Sequence, residues 1–322
     1  MVRGVLTTLA ITAALWSVLG LAGQSAPTHR IGALMPSFVN SPYEAALVEG
    51  LRGLGYVDGK NIAIEWRRFT GEDKQLRALA RELAQSKVEM IVALNTPAAR
   101  AALEATSLPV VYLSGDPVAT GLAENLAKPG GRGTGVSIVL TELTTKRLDL
   151  LHQLAPRARR IVYLTNLSNP IGPAQLEVAQ KTARQLNVQL IPLKAANEKE
   201  LDAALRTIAK HTGDGFAVTS DVLFYANRAR IARAVRAAKL PAAFPSREYH
   251  EEGALMSYGV NSEDVGKKLA GYVVKVLTGT QPGDLPIEQL SQYEFVLNLH
   301  VARELGLDVP QDLLLRADAI IR

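Results

Sequence analysis

Apolar and polar positions alternate in two registers along this chain. From Arg30 onward, short apolar runs of strand character give way to longer segments with a period near 3.6. RIGALMP (30–36) predicts a strand. SPYEAALVEGLRGLGY (41–56) predicts a helix, with Ala45, Leu47, Val48, Leu51 and Leu54 on one face. NIAIEW (61–66) alternates as a strand, and DKQLRALARELAQSK (73–87) is an amphipathic helix opened by Asp73. Strand VEMIVAL (88–94), helix PAARAALEA (97–105) and strand PVVYLSG (109–115) follow. Strands separated by helices require crossover connections, hence a parallel sheet with helices on both faces.

The plan then recurs. RRIVYLTN (159–166), VQLIPL (188–193), GFAVTSD (215–221) and LPAAFPS (240–246) predict strands. NPIGPAQLEVAQKTARQLN (169–187), EKELDAALRTIAKH (198–211) and NRARIARAVRAAK (227–239) predict the loop and helices between them. The two copies are offset by about 130 residues, far beyond a solenoid period, so the chain reads as two related doubly wound α/β domains. PGGRGTGVSIVL (129–140), GALMSYGV (253–260) and EFVLNL (294–299) lie where the chain passes between the copies, and three such crossings make a hinge. The expected bounds are 29–138 with 258–292 for the first domain, and 139–257 with 293–322 for the second. A chain of 322 residues agrees with two domains.

Ahead of this pattern, Arg3 precedes an apolar run from Val5 to Ala22, followed by the small residues of GQSAP. These are the parts of a secretory signal peptide over residues 1–26, a membrane anchor being the competing reading. Export would place the mature chain in the periplasm. The absence of cysteine rules out disulfides, thiol nucleophiles and thiolate metal sites. The five histidines are scattered without metal-ligand spacing, so neither a metal nor another cofactor is expected. Net charge is +5, but no basic run is interleaved with aromatics, and nucleic acid is not an expected partner.

In an open parallel sheet, ligands bind beyond the carboxyl ends of the strands. MIVALNTPAAR (90–100) ends a strand on Asn95 and Thr96, with Pro97 suited to a first helical position. The amide of Ala98 and the hydroxyl of Thr96 could then hold a carboxylate at the helix N-terminus, although a plain helix cap explains the same residues. The matching loop of the second copy is Thr219-Ser220-Asp221, whose carboxylate would meet an ammonium or merely start the next segment. Other strand-end loops contribute Phe38, Tyr43, Asp116, Asn166, Phe224 and Tyr249. The aromatics Tyr43, Phe224 and Tyr249 could pack on a ligand side chain, or belong to the core. No G-x-G-x-x-G, P-loop or G-x-S-x-G motif occurs. A non-enzymatic binding protein is therefore expected; a periplasmic hydrolase with an unmarked triad and a ligand-sensing regulatory domain are the alternatives.

GLRGLGYVDGKNIAIEWR, VALNTPAARAA, GDPVATGLAENLAKPGGRGTGVS, ELTTKRLDLLHQLAP and RARIARAVRAAKLPAAFPSREYHEEGALMSYG, in order from Arg30, resemble the tryptophan/tyrosine-type family of ABC-transporter substrate-binding proteins. LLLRADAII extends the similarity to Ile321. The resemblance implies a type I periplasmic binding protein fold, an aromatic amino acid closed between the domains, and delivery to a membrane permease with a cytoplasmic ATPase. It also implies binding roles for Asn95, Thr96 and Asp221. One departure is LTNLSNP, which carries Thr165 where the family commonly has an aromatic residue. A monomer is expected.

Overall fold

The computed structural model describes residues 29–37, 42–70, 73–210 and 213–322. The expected signal peptide and Phe38 lie outside these residues. The first unit runs β1 (His29–Pro36), α1 (Pro42–Gly53), β2 (Ile62–Phe69), α2 (Asp73–Gln85), β3 (Met90–Ala93), α3 (Thr96–Ala105), β4 (Val110–Ser114) and β5 (Gly133–Ser137). The chain then enters α4 (Leu140–Leu154), β6 (Arg160–Thr165), α5 (Gly172–Gln185), β7 (Gln189–Lys194), α6 (Glu198–Ile208) and β8 (Gly215–Val218). Next come α7 (Val222–Ala226), α8 (Arg228–Ala237), β9 (Ala242–Phe244) and β10 (Met256–Val260). The tail is α9 (Ser262–Leu277), β11 (Glu288–Gln289), β12 (Tyr293–Asn298), α10 (Leu299–Glu304), α11 (Gln311–Arg316) and β13 (Ala319–Ile321).

Two sheets result. The first has the order β11-β5-β4-β3-β1-β2, with every pair parallel. The second, β13-β12-β10-β9-β8-β6-β7, is parallel except where β10 meets β12. Within each, the first strand of the copy stands between the second and the third, the doubly wound order expected from the repeat. The central strands are apolar throughout because helices cover both faces: β3, as MIVA, is buried at all four positions. The period-3.6 face of α2 buries Leu76, Ala80 and Leu83 against that sheet.

Three differences from the periodicity have physical causes. The helix expected over 227–239 forms as α8, and a short helix that was not expected, α7, precedes it, capped by Asp221, which accepts from the Leu223 amide. Helices α4 and α9 had no assignment in the repeat because they lie at the passages rather than inside either copy. Strand β10, expected to lead back to the first domain, is paired in the second sheet with β9 and β12. The chain passes between sheets after β5, after β10 and after β11. At the first passage Val139 adopts a left-handed backbone (φ 54, ψ 54), which costs a β-branched residue on the order of 1 kcal/mol.

After the second passage, α9 returns to pack along α1. The contact is made through glycines: a Cβ on Gly266 would lie 2.3 Å from the Ala46 carbonyl carbon, and one on Gly50 would lie 2.8 Å from the Gly266 oxygen. Backbone-to-backbone approach at this crossing fixes α1, whose first turn carries Tyr43 toward the space between the sheets.

Candidate functional site

A cavity of about 130 Å³ lies at the carboxyl ends of both sheets. By the space one ordered water needs, it has room for on the order of ten non-hydrogen atoms. The first unit contributes Tyr43, Asn95, Thr96 and Ser114; the second contributes Asn169, Asp221, Tyr225 and Ser246. Its apolar wall includes Leu113, Ile138, Leu140, Leu143, Ile171 and Val260, several of them at or beside the passages between the sheets. Gly115 allows this wall to close, since a Cβ there would lie 2.8 Å from Leu140 Cδ1. A more polar space of about 560 Å³ adjoins the cavity, sharing Asn95, Asn169 and Asp221 and adding Asn166 and Ser168.

Asp221 is the one charged side chain among the described residues that line the smaller cavity. Its Oδ1 accepts from the Leu223 amide at 2.9 Å. Its Oδ2 accepts from Asn169 Nδ2 at 2.8 Å and from Asn166 Nδ2 at 3.2 Å. Both amides are held in that sense, because Asn166 Oδ1 accepts from the Ser168 amide and Asn169 Oδ1 from the Ile171 amide. Burial pushes the Asp221 carboxyl above its ordinary range, against the pull of these hydrogen bonds. The charge is thus held in place at the cavity wall.

On the opposite side, Asn95 rather than Thr96 caps α3: its Oδ1 accepts from the Ala98 amide at 2.8 Å. The Asn95 Nδ2 is buried and has no partner. A buried donor without an acceptor is rare, and one facing a cavity calls for an acceptor on the guest. Thr96 Oγ1 shares a 3.1 Å hydrogen bond with Ser114 Oγ and accepts from the Gly115 amide at 3.1 Å. Tyr43 and Tyr225 stay protonated, since burial raises the first and pushes the second up to about 12.

The strand-end reading therefore meets the structure unevenly. Tyr43, Asn95, Thr96 and Asp221 come together at one cavity, with Asn166 just behind Asp221. Four expected residues do not join them. The Ala98 amide is taken by its own helix cap, and its methyl is in the core. Asp116 turns away to accept from the Ala119 amide. Phe224 is fully buried in the second unit's core, and Tyr249 stacks on Phe244 with ring centroids 4.7 Å apart. The reading missed Ser114, Asn169 and Ser246, each within two or three residues of an expected one. The loops were legible; which side chain faced inward was not.

No histidine lines the cavity among the described residues. Among the described residues the one Ser–His hydrogen bond is His250 Nε2 to Ser257 Oγ at 3.1 Å, and neither residue lines the cavity. A hydrolytic triad finds no support here.

Comparison with known proteins agrees with this geometry. A family model described as ABC transporter substrate binding protein matches residues 42–321. A curated relative, the tyrosine-binding protein of Clostridioides difficile (strain R20291), is 27% identical over 253 residues, covering 78% of this chain and 72% of the relative. Among solved structures, an ABC domain in complex with L-Trp from Streptococcus pneumoniae superposes with a TM-score of 0.83 at 25% identity, covering 91% of this chain and all of that one (100%). A ligand-free, open substrate-binding protein with adhesive properties from Clostridium difficile, also 25% identical, gives 0.66, with 91% and 99% covered. A conserved domain protein from Vibrio cholerae gives 0.86 at 24% identity, covering 91% and 99%, and shares the fold.

Proposed function

The chain belongs to the family of ABC transporter substrate binding proteins, and from that premise we propose that it carries an aromatic amino acid, tyrosine or tryptophan, to the permease of an ABC importer in the periplasm. It is a binding protein and not an enzyme. The observation that carries the ligand assignment is the pairing of a held carboxylate with an unpartnered amide donor across one small, largely apolar cavity. Asp221 takes the ammonium. Asn95 Nδ2, with the Thr96 and Ser114 hydroxyls beside it, takes the carboxylate. The apolar wall and the Tyr43 and Tyr225 rings take the side chain.

Two units of roughly 29–138 with 258–292, and 139–257 with 293–322, open and close about the three passages. The higher similarity to the L-Trp complex than to the open, ligand-free structure, at equal identity, supports a closed arrangement for this chain. So does Val222 on α7, which packs against a core cluster of the first unit. The mature protein acts as a monomer, released from its signal peptide.

The test is thermal unfolding of the purified chain against the twenty amino acids, sugars and purines. Ligand at a thousand times its Kd adds about 4 kcal/mol to stability, so tyrosine or tryptophan should raise the Tm by several degrees. Stabilisation by sugars or purines alone would overturn the assignment.

A further inference from the structure

The turn Arg247–Glu252 that follows β9 holds an oddity. Ser246 occupies its N-cap position, where a serine hydroxyl ordinarily accepts from a backbone amide two or three residues on. Here it makes no such bond. Its Oγ is buried, has no partner, and belongs to a residue that lines the cavity. Two residues later, Glu248 Oε2 is also buried without a partner. Arg247, between them, is turned outward to Glu294 at 2.7 Å and serves neither. One turn thus presents a buried hydroxyl and a buried carboxylate oxygen that both lack a donor. Such groups are costly to a fold when unmet. Of the two, Ser246 lines the cavity, where a guest can meet its hydroxyl.

The polar groups already assigned take the amino-acid end of the ligand: Asp221 the ammonium, Asn95 the carboxylate. Ser246 is on a different strand end from either, after β9 rather than β8 or β3. Burial, and after it the charge of Glu248, raises the phenols of Tyr43 and Tyr225. This end of the cavity carries the Tyr43 and Tyr225 rings and the unpartnered Ser246 Oγ. It fits a ring carrying an N–H or an O–H.

We propose that Ser246, with Glu248 on the same turn, is the specificity determinant that reads a hydrogen-bond donor on the ligand ring, so that tyrosine or tryptophan is selected over phenylalanine. The proposal rests on the aromatic amino-acid reading above and goes beyond it by naming the atom that discriminates. A site that hydrogen-bonds a ring substituent rejects the analogue lacking it, because its own polar atoms then stay unmet. Closure over phenylalanine would bury both oxygens without a donor, whereas an indole N–H or a phenol O–H supplies one.

The experiment is titration calorimetry of the full mature chain and its Ser246→Ala and Ser246→Thr variants with L-tyrosine, L-tryptophan and L-phenylalanine, with Tm recorded for each protein. Wild type should bind tyrosine or tryptophan at least about tenfold more tightly than phenylalanine. Ser246→Ala should bring that ratio to within about threefold, chiefly by weakening the donor-bearing ligand, while Ser246→Thr keeps the hydroxyl and restores the preference. Phenylalanine binding as tightly as the others to wild type, a ratio unchanged in Ser246→Ala, or equal weakening of all three ligands would each overturn the proposal. Failure of wild type to bind any of the three would instead strike the underlying ligand assignment, and it is seen without any variant. If Ser246→Ala unfolds, Glu248→Gln supplies the same comparison: it replaces a charged acceptor and should compress the ratio in the same direction, and no compression would count against the proposal.

Discussion

Replacing Asp221 by Asn tests the centre of the site with little change in shape. The carboxylate is held by Leu223, Asn166 and Asn169, and among the described residues it is the one charged group lining the cavity where a ligand ammonium would sit. At about 4 Å and an effective dielectric near 20, the charge pair is worth about 4 kcal/mol. Dehydrating the ammonium takes back part of this, so truncating the pair should cost about 2–4 kcal/mol of binding, roughly 30- to 1000-fold in Kd. Stability should move much less. Asn caps a helix as well as Asp does, so the Leu223 bond survives. The two locked amides lose their acceptor, but a buried, destabilised charge is removed as well, and the two effects oppose.

Calorimetry with two ligands isolates the interaction: the amino acid, and its analogue lacking the amino group. Wild type should strongly prefer the amino acid, and Asp221→Asn should bind both with similar affinity. The pH profile gives the sign independently. Burial raises the Asp221 carboxyl of the free protein, while a bound ammonium favours the ionised form. Affinity is therefore full above the raised value and falls on acidification, beginning at higher pH than an ordinary aspartate would give. The Asn variant should show no such fall. If the analogue without an amino group loses as much affinity as the amino acid does, Asp221 does not meet the ammonium and the ligand orientation is wrong.

Asn95→Asp keeps the α3 cap but replaces the unpartnered Nδ2 with an oxygen. The Tm should stay within about 2 °C while affinity for a carboxylate ligand falls more than about tenfold; unchanged calorimetric affinity would remove Asn95 from the site. Gly266→Ala forces a methyl to within 2.5 Å of the Ala46 backbone. It should lower stability by about 1–3 kcal/mol in urea titration, and a neutral effect would mean that α9 is not seated on α1 as described. His250 is held neutral, its ring pushed down from an ordinary value of 6.5 to about 4 by burial. The unfolded chain takes up the proton first, so stability should fall as pH drops from about 6.5 toward 4, by at most about 3 kcal/mol. His250→Gln should flatten that part of the pH–stability curve measured by chemical denaturation.

Most of the architecture was legible because the repeat states it twice. A strand such as MIVA (90–93) is unambiguous when GFAV (215–218) stands at the matching place in the second copy. Two copies of one winding order give two sheets of the same order. The passages were harder, since α4 and α9 have no counterpart to be checked against. Helix α9 is held by a glycine contact, and close backbone approach leaves a gap in the apolar pattern rather than a mark. The short helix α7 was hidden for a related reason. Asp221 reads equally well as a loop residue and as a cap, and the structure gives it both roles.

The site was legible as loops but not as atoms, and Asn95 and Ala98 show why. Sequence places a donor-rich helix tip at the end of β3, which is correct, but it does not say whether the tip amides are free. Asn95 decides that by turning its oxygen onto the Ala98 amide. This removes the backbone donor that seemed available and exposes a side-chain donor in its place. Ser246 is the converse: a residue type that normally caps its own turn leaves its hydroxyl unengaged in the cavity wall. Each exchange keeps the local secondary structure and changes only where the unmet polar atom points. A binding site is the set of those unmet atoms after local bonding has been satisfied, and that remainder is fixed by side-chain rotamers that periodicity does not encode. Relatives with the same fold and the same loops can therefore hold different guests, and in this chain the remainder is an amide donor, a carboxylate and a hydroxyl around an apolar space.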